Sequence, residues 1–359
     1  MYNKAVVLFV LAFSLMLPAV VFADTPTSST DLGVCMDYLG LGEADFRKLL
    51  SGEIVSGDLE ESSEKELAVT IAMLLPAPLE QVVDLIWSGS TLEITRDILD
   101  FSYISDSSPV ENSFAGIGLQ PDEVEEVSKL LRVRPGLTFN MSKAEIKRFK
   151  TIARRFKSRG AERDPRVQQA LNSAYQALLM ARYNAYLQGG LKAIAPYYRG
   201  SGKRARPDRE LFAGGAGATL MKNLIPDFYQ AFVNYPQHSG EGIENQFLLI
   251  ENQFLLSKEV IEGRPTFILG HRMFRFEQKY AVMTERQFYV GHTYNSQLVI
   301  VGSIAVEEGT LVFYQNRTST DRIAGFASSL KHMIGRKLMR DQIIHRFEAL
   351  RRSLEQAGS

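Results

Sequence analysis

The chain carries five histidines, His238, His271, His292, His332 and His345, and none stands at a spacing that makes chemistry on its own. A zinc-binding helix needs His-Glu-x-x-His, an acyl-transfer elbow needs Gly-x-Ser-x-Gly, and a nucleotide cradle needs a glycine-rich loop ending in Lys-Ser/Thr. The sequence contains none of these. The single cysteine, Cys35, has no second thiol for a disulfide and no activating neighbour. The reading assigns no catalytic residue, no metal site and no cofactor. His271 and His292 lie on or beside strand-like runs and could converge. One of them acting as general base is the route by which a hydrolase with dispersed residues would work.

Strand-borne polar side chains offer a different chemistry, that of orienting a ligand. Arg272, Arg275, Arg286 and Arg317 stand in strand-like segments. Any that points into a cavity would hold a carboxylate or an anionic headgroup. The candidate ligand-binding set is His271, Arg286, Tyr289, His292 and Arg317. A second candidate is Lys203, Arg204, Arg206 and Arg209, just upstream of Gly214-Gly215-Ala216-Gly217 and a helical stretch. Backbone amides at a helix start, beside arginines, would hold a phosphate or lipid headgroup. The same glycines would equally serve a tight loop.

The elements that must position these groups follow from the patterning. Lys4, then apolar residues from Ala5 to Val21, then Val21-Phe22-Ala23 read as a secretory signal peptide over residues 1–23. That places the mature chain in the periplasm or outside the cell. Residues 24–52 read as a loose leader with a short helix over Asp37–Leu50. Residues 53–120 hold a strand at Glu53–Asp58, a second at Glu66–Leu75 stopped by Pro76-Ala77-Pro78, a helix from Leu79 to Trp87, and a strand at Ile98–Ile104. Residues 121–240 are helical. Ser142 and Glu145 make a capping box for one helix, Asp164–Leu187 is a second, and Ala218–Val233 a third. From 241 to 359 the period changes to two, giving strand runs near 246–260, 265–276, 279–290, 296–306 and 309–317, and then a long helix from Ile323 to Leu354. In that helix Phe326, Leu330, Ile334 and Leu338 form one stripe, continued by Ile344, Phe347, Leu350 and Leu354. The heptad Ile-Glu-Asn-Gln-Phe-Leu-Leu occurs twice, at 243–249 and 250–256. Seven is an odd shift in a strand, so one copy belongs outside the ladder.

The charge is polarised. Residues 24–126 carry 22 acidic and 4 basic side chains, and residues 127–226 carry 5 acidic and 21 basic. The simplest expectation is that these blocks face each other. The alternative is a basic patch, centred on 143–157, that lies on an anionic membrane. No nucleic-acid-binding motif accompanies it, so no nucleic-acid partner is expected.

The fold class is α+β: an antiparallel meander with a long C-terminal helix across it and a large helical insertion. The order strand, Pro76-Ala77-Pro78-Leu79-Glu80-Gln81-Val82, helix, antiparallel strands, long terminal helix resembles the START-like helix-grip superfamily of lipid-transfer and hydrophobic-ligand proteins. The resemblance covers roughly residues 53–105 and 244–355. The chain departs from it in the position of Trp87 and in the helical insertion of about 120 residues. It implies a non-enzymatic protein that binds a hydrophobic small molecule or lipid between sheet and helix. The strands agree in one respect, because both alternating faces are apolar and both need cover. The terminal helix covers one; the helical middle covers the other, or a ligand cavity lies there. The competing readings are the dispersed hydrolase and an envelope structural protein.

Overall fold

The computed structural model describes residues 29–87, 97–104, 109–237, 250–325 and 328–357. The signal-peptide reading, His238, Phe326 and the first heptad copy lie outside them.

Two helices open the described chain, α1 (Ser29–Tyr38) and α2 (Glu43–Leu50). The expected loose leader is in part the first of them. Met36, Leu39 and Leu41 are drawn into the core, and Cys35 is buried with them. Gly40, at φ +67°, makes the break that splits the expected single helix. Next come β1 (Val55–Asp58), β2 (Glu66–Leu75), α3 (Leu79–Trp87) and β3 (Ile98–Ile104), close to the sequence expectation.

The insertion contains α4 (Val110–Ala115), α5 (Val124–Leu131), α6 (Lys143–Arg155), α7 (Pro165–Gly189), the small hairpin β4 (Tyr197–Gly200) and β5 (Lys203–Ala205), then α8 (Pro207–Ala216), α9 (Thr219–Leu224) and α10 (Pro226–Asn234). The Ser142 hydroxyl accepts from the Glu145 amide, and the Glu145 carboxylate accepts from the Ser142 amide at 2.5 Å. This is the capping box read from the sequence. The 219–234 stretch is two helices because Pro226 has no amide hydrogen to continue the first one.

The rest is β6 (Ile250–Ile261), β7 (Arg264–Phe276), β8 (Tyr280–Val290), β9 (Ser296–Val306), β10 (Gly309–Ser319) and α11 (Ser328–Ala357). The second heptad copy therefore opens β6. Eight strands form one antiparallel sheet in the order β1-β2-β10-β9-β8-β7-β6-β3. The first long strand, β2, pairs with the last, Glu66 opposite Ser319.

The sheet has two covered faces. One, the filled face, packs against α7, α8 and the rest of the insertion. Tyr186 stacks on Phe288 at 4.0 Å, and Tyr175 meets Phe267 at 4.6 Å. The other, the gripped face, meets α3 and α11. Val69, Ile71 and Met73 of β2 pack there with Val82, Ile343, Phe347 and Leu350. Gly335 lets α11 approach closely, since a Cβ there would lie 2.7 Å from Leu67 Cδ1.

Two expectations fail. Leu330, Ile334 and Leu338 do not face the sheet; they are 53%, 49% and 59% exposed. The inner face of α11 is instead His332, Gly335, Met339, Ile343, Phe347 and Leu350, because His332 bonds Glu61 and the backbone of Glu64 and fixes the helix roll. The acidic and basic blocks also do not neutralise each other. Glu123 pairs with Lys258, Glu126 with Arg264, Glu66 with Arg317, Glu61 with His332 and Arg336, and Asp58 with Arg340. The acidic block thus draws on the last third of the chain. Among the described residues, only Lys129 of the basic block pairs with it, one helical turn from Glu125 and Glu126.

Candidate functional site

Side chains alternate across a strand, so the register sorts every candidate onto one face or the other. β7 and β8 turn over between Phe276 and Ala281, which places Arg272 opposite Glu285 and His271 opposite Arg286. The first pair points to the gripped face and the second to the filled face.

On the gripped face successive cross-strand rows change character. One row runs Phe276, Ala281, Ser303, Val312, and the next Phe274, Met283, Val301, Tyr314. Phe274, Phe276, Ala281, Met283, Val301 and Ser303 of these rows, with Val83 and Ile86 of α3, border a half-open cleft of about 20 Å³. The third row is Gln253, Arg272, Glu285, Val299, Asn316, and the fourth carries Gln287, Gln297 and Thr318. An apolar floor therefore becomes a polar one within two rows.

The polar rows are wired together. Arg272 Nε donates to Glu285 Oε2 at 2.6 Å, Gln287 Nε2 donates to Glu285 Oε1 at 3.0 Å, and the Tyr294 hydroxyl donates to Gln287 Oε1 at 2.6 Å. Gln297 Nε2 donates to Thr318 Oγ1 at 2.8 Å, and that hydroxyl donates to Asn316 Oδ1 at 2.8 Å. Burial works to raise the Glu285 carboxyl, but Arg272 outweighs it and holds the group below its ordinary range. Glu259, on the same face, keeps a raised pKa because burial outweighs the hydrogen bond from Ser257. Arg346 of α11 acts electrostatically on Glu259, Glu285 and Tyr314.

The sequence-derived candidates lie on the filled face or at its ends, each engaged by protein. His271 is buried, with Nδ1 3.0 Å from the Tyr186 hydroxyl, Nε2 2.9 Å from Asn252 Oδ1, and its ring stacked on Phe254 at 4.5 Å. Burial, then Arg286, pushes its pKa well down. Arg286 donates to the Phe232 carbonyl at 2.6 Å and lies 3.7 Å from the Phe232 ring centre. The hydroxyls of Tyr289 and Tyr175 meet at 3.0 Å. His292 meets Thr266 at 2.7 Å and Thr293 at 2.6 Å, and burial lowers its pKa to about 4. Arg317 pairs with Glu66 at 3.1 Å and donates to the backbone of Glu60 and Gly217. His271 and His292 do not converge: they have separate partners, none of them a Ser, Asp or Glu side chain.

The anion candidate also dissolves. Gly214 and Gly215 sit in the last turn of α8, which runs directly into the short α9, and there they let α8 approach Leu298 and Phe232. Gly217 caps that helix. Lys203 and Arg204 are exposed on the β4–β5 hairpin, Arg206 pairs with Asp208 at 2.6 Å, and Arg209 is exposed. They form no common pocket.

Sequence reasoning named Arg272 as strand-borne but left it out of the ligand set, and missed Glu285, Gln287 and Arg346. The signal that finds them is the hairpin register, because a turn between Phe276 and Ala281 puts opposite charges at 272 and 285 on one face. Comparison with protein-family models, with curated proteins and with solved structures finds no match for this chain. Among the described residues, no helix is long and apolar enough to cross a membrane.

Proposed function

We propose that the protein is an exported, non-enzymatic binder of a slender hydrophobic ligand, held in the cleft between the sheet and the α3–α11 grip. The observation that carries this is the apolar cleft on the gripped face, while the filled face is packed with aromatic rings. The order of strand, proline turn, helix, meander and terminal helix supports the START-like reading in the same sense. The cleft itself has room for only about 20 Å³, so the apolar part of the ligand lies along its mouth, partly buried, and the affinity is modest. Lipid extraction and mass spectrometry of the purified protein test this, together with displacement of a fluorescent fatty acid. Co-purified single-chain compounds or displacement are the expected result. Neither one, in repeated preparations, overturns the reading.

A second contact has its own observation. Lys147, Arg148, Lys150, Arg154, Arg155 and Lys157 are exposed, and none of them has an ion pair among the described residues. Among the described residues no carboxylate pairs with this face, which leaves it to lie on an anionic membrane. Co-sedimentation with phosphatidylglycerol vesicles, lost at high salt and absent with phosphatidylcholine, is the expected behaviour. Equal binding to both vesicles refutes it.

A further inference from the structure

Arg272 is 7% exposed and uses only Nε on Glu285; Nη1 and Nη2 have no protein partner among the described residues. A buried guanidinium normally spends its whole fork. Opposite it in register, Gln253 has a buried Oε1 with no partner. Arg346 of α11 is exposed, acts electrostatically on Glu285 and Tyr314, and makes no ion pair or hydrogen bond of its own among the described residues. Two arginines thus share one firmly ionised carboxylate, Glu285, since burial favours the neutral form of Glu259. The row before them is Phe274, Met283 and Val301, the wall of the apolar cleft.

We infer that the third row is a headgroup site, and that the ligand is an anionic amphiphile. Its apolar part lies along the cleft, its carboxylate or phosphate sits on the free fork of Arg272, and Arg346 adds its charge from the rim. This rests on the reading of the cleft as a ligand site. Cation and alcohol amphiphiles fit less well. A cation meets two guanidinium groups that share one carboxylate, and a hydroxyl leaves half of the Arg272 fork without an acceptor.

Calorimetric titration of the purified chain with decanoate, 1-decanol, decylamine, decyl phosphate and acetate tests it. Decanoate or decyl phosphate should bind about 10- to 100-fold tighter than decanol, the worth of a charge-assisted hydrogen bond. Whichever of the two anions binds tighter names the head, and either supports the site. Arg272→Gln and Arg346→Gln should each shrink that advantage. Arg272→Gln strands Glu285 and could unfold the chain; Arg346→Gln has no protein partner to strand, so it carries the test alone if needed. Decanol and decanoate binding equally, or decylamine binding best, overturns the headgroup site and leaves the cleft standing. Acetate binding as tightly as decanoate overturns the amphiphile, because the chain would then contribute nothing. Failure of every ten-carbon probe overturns the cleft reading and this inference with it.

Discussion

Two neighbouring cross-strand pairs on the same two strands, His271 opposite Arg286 and Arg272 opposite Glu285, are built to opposite ends. All four side chains are buried. On the filled face the histidine is held neutral between a tyrosine and an asparagine, and the arginine rests on an aromatic ring and a carbonyl with no ion pair among the described residues. On the gripped face the arginine meets a true counter-ion through Nε, and its four Nη hydrogens have no protein partner among the described residues. Burial and polarity therefore do not mark a site in this protein. Unspent hydrogen-bonding capacity beside an apolar opening does.

The comparison breaks most visibly at Glu285. Glu285→Ala leaves Arg272 buried and unpaired, which costs about 3–5 kcal/mol when one partner of a buried pair is removed. Arg286→Met, which removes a buried charge that has no carboxylate partner, should stay within about 1 kcal/mol of the parent. Urea denaturation of the two variants measures both. If Arg286→Met is the more damaging change, the filled face depends on its charge and the contrast is wrong.

A smaller effect is expected from acid. His292 titrates near 4 in the fold against an ordinary 6.5, because burial opposes its charged form. Between those values the unfolded chain binds a proton that the folded chain refuses. Stability is therefore whole above about 6.5 and falls as pH drops toward 4, by about 3 kcal/mol from this residue. His271, also pushed down by burial, adds in the same direction. Thermal melts from pH 7.5 to 4.5 follow the loss, and His292→Gln should flatten it. An unchanged slope in that variant would assign the acid sensitivity to other groups.

Legibility of the molecule divides along the same line. The meander, the proline-stopped strand and the Ser142 cap were readable because each is a local signal: period two, a missing amide, a hydroxyl three residues before a glutamate. The β4–β5 hairpin was not, since Tyr197-Tyr198-Arg199-Gly200 is too short to show a period. For the site, both faces of β7 to β10 are apolar enough that composition does not say which one a helix will fill. Choosing His271, Arg286 and Arg317 by residue type landed on the face that α7, α8 and α10 seal. Only the turn between Phe276 and Ala281 separates Arg272 from its neighbour. The roll of α11 was half hidden for a similar reason: the later part of its expected stripe, Ile344, Phe347, Leu350 and Leu354, does pack on the sheet, but over the first turns His332 and Gly335, neither of them strongly apolar, set the face instead of Leu330, Ile334 and Leu338.

That roll supplies the gentlest test of the grip. Leu330, Met333, Ile334 and Leu338 form an apolar stripe turned away from the sheet, with Ile334 49% and Leu338 59% exposed. A side chain that loses no buried contact on substitution changes stability by no more than about 0.5 kcal/mol. Ile334→Ser should therefore match the parent in urea midpoint and in decanoate affinity. A loss of more than about 1 kcal/mol would mean the stripe is buried in solution. The terminal helix would then lie on the sheet in a different roll, and Arg346 would no longer act on the polar rows.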